Sequence, residues 1–355
     1  MNCLTCFLGG SSPNGFRTYF GDMIADTEFH TYVIKGGPGT GKSSLMKRLA
    51  EAFPDDKKEI YYCSSDPDSL DALVFPERKV IFVDGTAPHV FEPEYAGAVQ
   101  QILDLGVYWD IGRLVRSKND IIAANSAYLQ HHVRCRRYIT ALSAVTADTF
   151  QIGSSALNGD KLEGFIKRLS KKILPKKSDA AEGKIEFRQL SALTPKGYLT
   201  NVPDDYTVYL LNDSFYAGSE QFLRKFADIA SKKGYDVSVS VCTLHGNEHF
   251  EHRLIPELNI AFFTANPIND LVIAAKQPVN FKRFYDKNVV SGKKLRIKFN
   301  EAAARNFRDE AVLSLINAKA EHDQLEKLYI PAVDFDGVNR LCYSLISQIK
   351  SLSAE

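Results

Sequence analysis

Residues 31–44 read Thr31-Tyr-Val-Ile-Lys-Gly36-Gly37-Pro38-Gly39-Thr40-Gly41-Lys42-Ser43-Ser44. The stretch fits G-x-x-x-x-G-K-[ST], the pattern of a phosphate-binding loop. Its flanks fit as well. Tyr32, Val33 and Ile34 form a short β-prone run, and Leu45, Met46, Leu49, Ala50 and Phe53 follow at helical spacing. The expected element is a strand, a glycine turn and a helix N-terminus. Gly36, Gly39 and Gly41 let backbone N–H groups turn inward with no Cβ in the way of a phosphate. The helix dipole adds positive potential at the same point. Lys42 is expected to reach the outer phosphates and Ser43 to ligate Mg²⁺ through its hydroxyl, with Gly36, Gly37, Pro38, Gly39, Thr40, Gly41 and Ser44 completing the cradle. Such a match arises by chance in roughly one chain per hundred of this length, before the strand and helix contexts are required.

A second element should follow, an apolar strand ending in an acid. Lys79-Val-Ile-Phe-Val-Asp84-Gly85 supplies it. Val80 to Val83 is continuous, as a strand buried on both faces requires. Asp84 is then placed at the carboxyl edge of the sheet, where it can hold Mg²⁺ through water. Between the two elements, 59–63 reads as another strand. The segment Ser64-Ser-Asp66-Pro-Asp68-Ser-Leu-Asp71 follows it. Asp66 or Asp68 is a candidate general base for a substrate hydroxyl. The plainer reading is an Asx-turn leading into a helix with an acidic first turn.

The second half repeats the first in register. Residues 32–50 align with 209–227, with Gly41 on Gly218 and Ala50 on Ala227. Cys63 meets Cys242, Phe75-Pro-Glu77 meets Ile255-Pro-Glu257, and Tyr108-Trp-Asp110 meets Phe284-Tyr-Asp286. The chemistry does not repeat. Gly36 becomes Asp213, Gly39 becomes Tyr216, Lys42 becomes Ser219, Ser43 becomes Glu220 and Asp84 becomes Thr264. The expectation is α/β, two tandem P-loop NTPase-like three-layer domains with appended helices. Residues 1–177 hold the intact nucleotide site, 178–188 form a linker, and 189–355 form a degenerate copy without one. Helical stretches over 111–151 and 159–174, echoed at 299–330 and 336–349, should cover the sheet edges or pair the halves. Arg134, Arg136 and Arg137 on the first of these are candidates for an arginine finger, set against a solvated helix face.

Composition sets the outer bounds. The chain has 355 residues, 45% apolar and 25% charged, so a folded core is expected. Net charge is +1, and the basic run at 167–177 lacks interleaved aromatics, which argues against a nucleic-acid partner. Neither a membrane-length apolar run nor a signal-peptide pattern is present, so the expected setting is cytoplasmic. Six cysteines in a chain this long are no disulfide framework. Cys3-x-x-Cys6 lacks partner ligands at a second close spacing and reads as small apolar residues at a frayed end.

On Gly36-Gly-Pro-Gly-Thr-Gly-Lys-Ser43, Cys63-Ser-Ser-Asp-Pro-Asp-Ser-Leu-Asp71, Val83-Asp-Gly-Thr-Ala-Pro-His89 and Thr194-Pro-Lys-Gly-Tyr198, the sequence resembles the duplicated P-loop NTPase family of uncharacterised bacterial ATPases. The resemblance implies ATP binding in a cytoplasmic protein and brings no substrate with it. It makes His89 a candidate on the substrate side. The resemblance implies that members can carry a P-loop in both halves, and this chain departs there.

Three functions fit: ATP hydrolysis driving rearrangement of the halves, a small-molecule or nucleotide kinase, or a non-catalytic ATP-gated module. The partner beyond the nucleotide is an unidentified small molecule or protein. Gly85 after Asp84 stands where many hydrolytic P-loop proteins place a Glu. A strand inserted between the P-loop strand and the Asp84 strand favours hydrolysis; adjacency favours phosphotransfer. ATP is preferred over GTP because no guanine-reading tetrapeptide is suitably placed.

Overall fold

A computed structural model describes residues 3–87, 90–177, 181–245, 248–273, 275 and 277–351. The first half contains β1 (Cys3–Phe7), β2 (Gly9–Ser12), β3 (Gly15–Thr18), α1 (Gly21–Ala25), β4 (His30–Lys35), α2 (Lys42–Ala52), β5 (Lys58–Tyr62), β6 (Leu70–Phe75), β7 (Val80–Asp84) and β8 (Gln100–Asp104). The helices α3 (Ile111–Arg116), α4 (Lys118–Ala156) and α5 (Gly159–Ile173) follow. The second half contains β9 (Ile185–Phe187), β10 (Ser191–Thr194), β11 (Gly197–Thr200), β12 (Thr207–Asn212), α6 (Ala217–Lys232), β13 (Val237–Val241), β14 (Phe250–Ile255), β15 (Ile260–Ala265) and β16 (Gln277–Asn280). It closes with α7 (Lys287–Gly292), α8 (Lys294–Tyr329) and α9 (Phe335–Ser351).

The duplication extends to the order of the strands. One six-stranded sheet runs β1-β5-β6-β7-β4-β8, the other β9-β13-β14-β15-β12-β16, so each strand has a counterpart in the same place. β4 pairs in parallel with β7 and β8; β6 is antiparallel to both its neighbours. The second sheet repeats this pattern. Even the small hairpins match: the Ser12 hydroxyl donates to Gly15 O and the Thr194 hydroxyl to Gly197 O, both at 2.8 Å.

Alternation along each strand explains the layers. On β4, Tyr32 and Ile34 face α2 together with Leu45, Met46 and Leu49, whereas Val33 faces the other way. On β12, Tyr209 and Leu211 face α6, and Val208 and Leu210 face the other way. The outward sides meet: Val33, Ile81 and Val83 share one apolar core with Val208, Leu210, Ala261 and Phe263. Each sheet is therefore covered by helices on one face and by the opposite half on the other.

The appended helices are exchanged. Leu162, Ile166 and Leu169 of α5 complete the core under α6, and Val338, Leu345 and Ile349 of α9 complete the core under α2. The long helices α4 and α8 run antiparallel, since Tyr128 meets His322 at one end and Asp148 meets Arg296 and Asn300 at the other. Among the described residues no helix is long and apolar enough to cross a membrane.

Two local expectations are corrected. Cys3 and Cys6 are not at a frayed end: β1 pairs in parallel with β5 at the sheet edge, and both thiols are free. The acidic segment leads into strand β6 and not a helix. All of Leu70–Phe75 is buried between two antiparallel neighbours, so the run shows no alternation from which a strand is read.

Candidate nucleotide site

The carboxyl ends of β4, β7 and β8 converge with the start of the antiparallel β6. This edge, where open α/β sheets bind ligands, gathers the candidate residues. The loop after β4 needs glycine at two points. Gly39 has φ +65° and Gly41, the N-cap of α2, has φ +90°. Both lie in the left-handed region that L side chains rarely adopt. The Thr40 hydroxyl donates to Gly37 O at 2.8 Å and fixes the turn. Lys42 folds back over the loop and donates to Gly36 O (2.8 Å) and Gly37 O (2.9 Å), carbonyls that hold its ammonium where a phosphate would. Its Nζ is 3.6 Å from Asp84 Oδ2. The Ser43 hydroxyl accepts from Leu70 N at 2.9 Å, which ties α2 to the start of β6. Ser44 is exposed on the first turn.

Asp84 is held by Thr86, whose N–H and hydroxyl both donate to Oδ1 (2.8 and 2.6 Å). Burial pushes its carboxyl above the usual range; Lys42 opposes this, and Asp71 reinforces it. Asp71 is the acid that sequence reasoning passed over. The register that sets Ala72 against Val83 puts Asp71 beside Asp84 across the β6–β7 ladder. It also bonds the Cys63 thiol, whose pKa rises through burial first and the Asp71 charge second. Its duplicate, Glu251, bonds Cys242 in the same way. An acid at this position in both halves was the available signal. Ser43, Asp84 and Asp71 offer a hydroxyl and two carboxylates beside Lys42. These are hard oxygen donors, and the desolvated Asp84 favours a cation, so the set fits Mg²⁺.

The other candidates fall elsewhere. Asp66 caps its own turn, accepting from Ser69 Oγ at 2.7 Å, and lies 3.7 Å from Lys319 of α8. The Asp68 carboxylate is exposed and bonded to Lys196 at 2.7 and 2.8 Å, which lowers its pKa. Arg134, Arg136 and Arg137 are exposed on α4. His89 lies outside the described residues.

The roof of the site comes from the other half. A Cβ on Gly37 would lie 2.8 Å from the Tyr329 ring. One on Gly39 would lie 2.9 Å from Ile330 and 3.3 Å from Glu326, and one on Gly41 3.7 Å from Phe335 and Val338. The end of α8 and the start of α9 thus press directly on the loop. This side of the site is invisible in the motif, because it is brought in from residues about three hundred positions away.

The duplicate loop is filled from within. Asp213, at the position of Gly36, is buried. Its carboxylate accepts from Phe215 N (3.0 Å), Ser219 N (2.8 Å) and the Tyr285 hydroxyl (2.9 Å to each oxygen). Gly218 N donates to the same hydroxyl at 2.7 Å. A carboxylate sits against N–H groups at the start of α6, as an anion does at a phosphate loop. Tyr216 takes φ +64° near the position that Gly39 holds in the first copy.

The strand order of both sheets is P-loop-like. Residues 23–103 match the family model described as Novel STAND NTPase 3, a P-loop NTPase family, which indicates a STAND-type NTPase segment and implies nucleotide binding. The match runs from α1 through β8 and takes in the phosphate loop, Asp71 and Asp84. No curated protein and no solved structure matches the chain.

Proposed function

We propose that the protein binds Mg-ATP at 36–44 and hydrolyses it, and that the state of the nucleotide is transmitted to the second half through α8 and α9. The contact of Gly37, Gly39 and Gly41 with Tyr329, Ile330 and Phe335 carries this reading. A loop packed this tightly cannot take up or lose phosphate without moving what lies on it. When bound, Mg²⁺ would neutralise charge on the transferring phosphoryl group. The chain's own part is to cradle phosphate with loop N–H groups, to place the Lys42 ammonium and to hold the cation with Ser43, Asp84 and Asp71. The second half, in this reading, holds no nucleotide, because Asp213 occupies the place of its phosphate.

Phosphotransfer is the second reading, and one observation favours it: β7 lies directly beside β4. The acid on β6 qualifies it, since Asp71 is separated from the P-loop strand by one inserted strand. Purified protein with Mg-ATP, assayed for ADP with and without a metabolite pool, separates the readings. Turnover without the pool supports hydrolysis, and turnover only with it supports a kinase. ADP no greater than from Lys42→Ala would leave an ATP-gated binding module.

A further inference from the structure

The two halves share one design, so the occupied loop of the second half shows what surrounds an anion in the first. The residue that donates to the Asp213 carboxylate from outside its loop is Tyr285. Its counterpart is Trp109. The equivalence rests on backbone geometry. Trp109 bridges to Val333 and Tyr285 to Leu157. Asp110 N donates to Ala332 O at 2.7 Å, and Asp286 N to Ala156 O at 2.8 Å. Asp334 N donates to Tyr108 O and Asn158 N to Phe284 O, both at 2.8 Å. Each aromatic thus follows a strand that flanks the P-loop strand and is pinned by the exchanged helix pair of its site.

Trp109 packs edge-on against Tyr329 at 5.9 Å, and Tyr329 is the ring lying on Gly37. The indole Nε1–H is buried, and among the described residues it has no hydrogen-bond partner. Indole nitrogen can only donate. A buried donor left unmade is unfavourable enough that native structures nearly always supply an acceptor. In the second half the equivalent hydroxyl finds one in a carboxylate. In the first half the corresponding position is Gly36, which has no side chain to offer.

We infer that Trp109 is a phosphate-binding residue, donating its indole N–H to the nucleotide phosphate held by the Lys42 backbone N–H. This rests on the reading that the first loop binds a nucleotide. The ligand group is a phosphate oxygen of a nucleoside polyphosphate, in the place that Asp213 fills in the other half.

Trp109 is the chain's one tryptophan, so the emission comes from this ring and reports on its immediate surroundings. The full-length protein is titrated with Mg-ATP, following fluorescence and calorimetry in parallel, for wild type, Trp109→Phe, Trp109→Tyr and Lys42→Ala. Wild type should show a saturable emission change that Mg-ADP reproduces and adenosine does not. Trp109→Phe keeps a ring and loses the donor, so its Kd should rise about tenfold. Trp109→Tyr restores a donor of the kind seen at Tyr285 and should recover most of that loss. If wild type binds Mg-ATP with unchanged emission, or Trp109→Phe binds as tightly as wild type, the inference fails while the site stands. Equal weakening in the Phe and Tyr variants overturns it too, since ring packing would then be the cause. Absence of any Lys42-dependent binding in wild type overturns the underlying reading of the site instead.

Discussion

Asp213→Ala should destabilise the second half by removing an internal anion. The variant leaves the N–H groups of Phe215 and Ser219 and the hydroxyl of Tyr285 without their acceptor. Three donors unsatisfied at about 1–3 kcal/mol each give a gross loss of about 3–9 kcal/mol. Part of this is offset, because burial raises the pKa of Asp213 and the charged form is held at some expense of its own. The lower end, about 3 kcal/mol, is the expected net loss. The assay is amide exchange at the start of α6, read with a urea midpoint. A local loss of that size should speed exchange at Ser219 by about a hundredfold. The cavity is shaped for an oxyanion, so added phosphate should slow the exchange again. That rescue is best measured with Lys42→Ala in both proteins, so that the first loop does not contribute. If Asp213→Ala protects Ser219 as well as its parent does, the carboxylate is not standing in for phosphate. Rescue by chloride equal to that by phosphate would refute the oxyanion geometry.

Other outcomes follow from the same geometry. Lys42→Ala should abolish ATP binding in calorimetry, whereas Ser219→Ala should leave it unchanged, since the Ser219 hydroxyl serves its own loop, at Tyr216 O and the Asp213 carboxylate. Asp71→Asn and Asp84→Asn should each raise the Mg²⁺ concentration needed for half-maximal turnover. A change at Asp84 with none at Asp71 would remove Asp71 from the cation set. Burial pushes Glu251 up to about 7, from an ordinary value of 4.5. A raised carboxyl contributes stability that is fully present below its unfolded pKa and is lost as pH rises through the folded value. The stability of wild type relative to Glu251→Gln should therefore fall by about 3 kcal/mol as pH rises between those two values, and a flat difference in urea titrations would contradict it.

Much of the sheet architecture and the loop was legible from side-chain identity alone. The P-loop glycines, Lys42, the apolar run before Asp84 and the echo of 32–50 in 209–227 each have a local cause. A positive φ calls for glycine, a strand buried on both faces calls for continuous apolar residues, and duplication preserves what packs. Asp71 was harder, because β6 is buried throughout and its antiparallel course places its first residues, not its last, at the ligand edge.

The sequence by itself determined that one loop carries the phosphate-binding pattern and that its duplicate lacks the residues of that pattern. It could not determine what fills the duplicate, because the hydrogen bond from Tyr285 reaches Asp213 from a distant part of the chain. Nor could it determine that α5 and α9 exchange halves and that α8 roofs the first loop. An amphipathic helix declares that it has an apolar face to bury, and only the folded chain decides against which core.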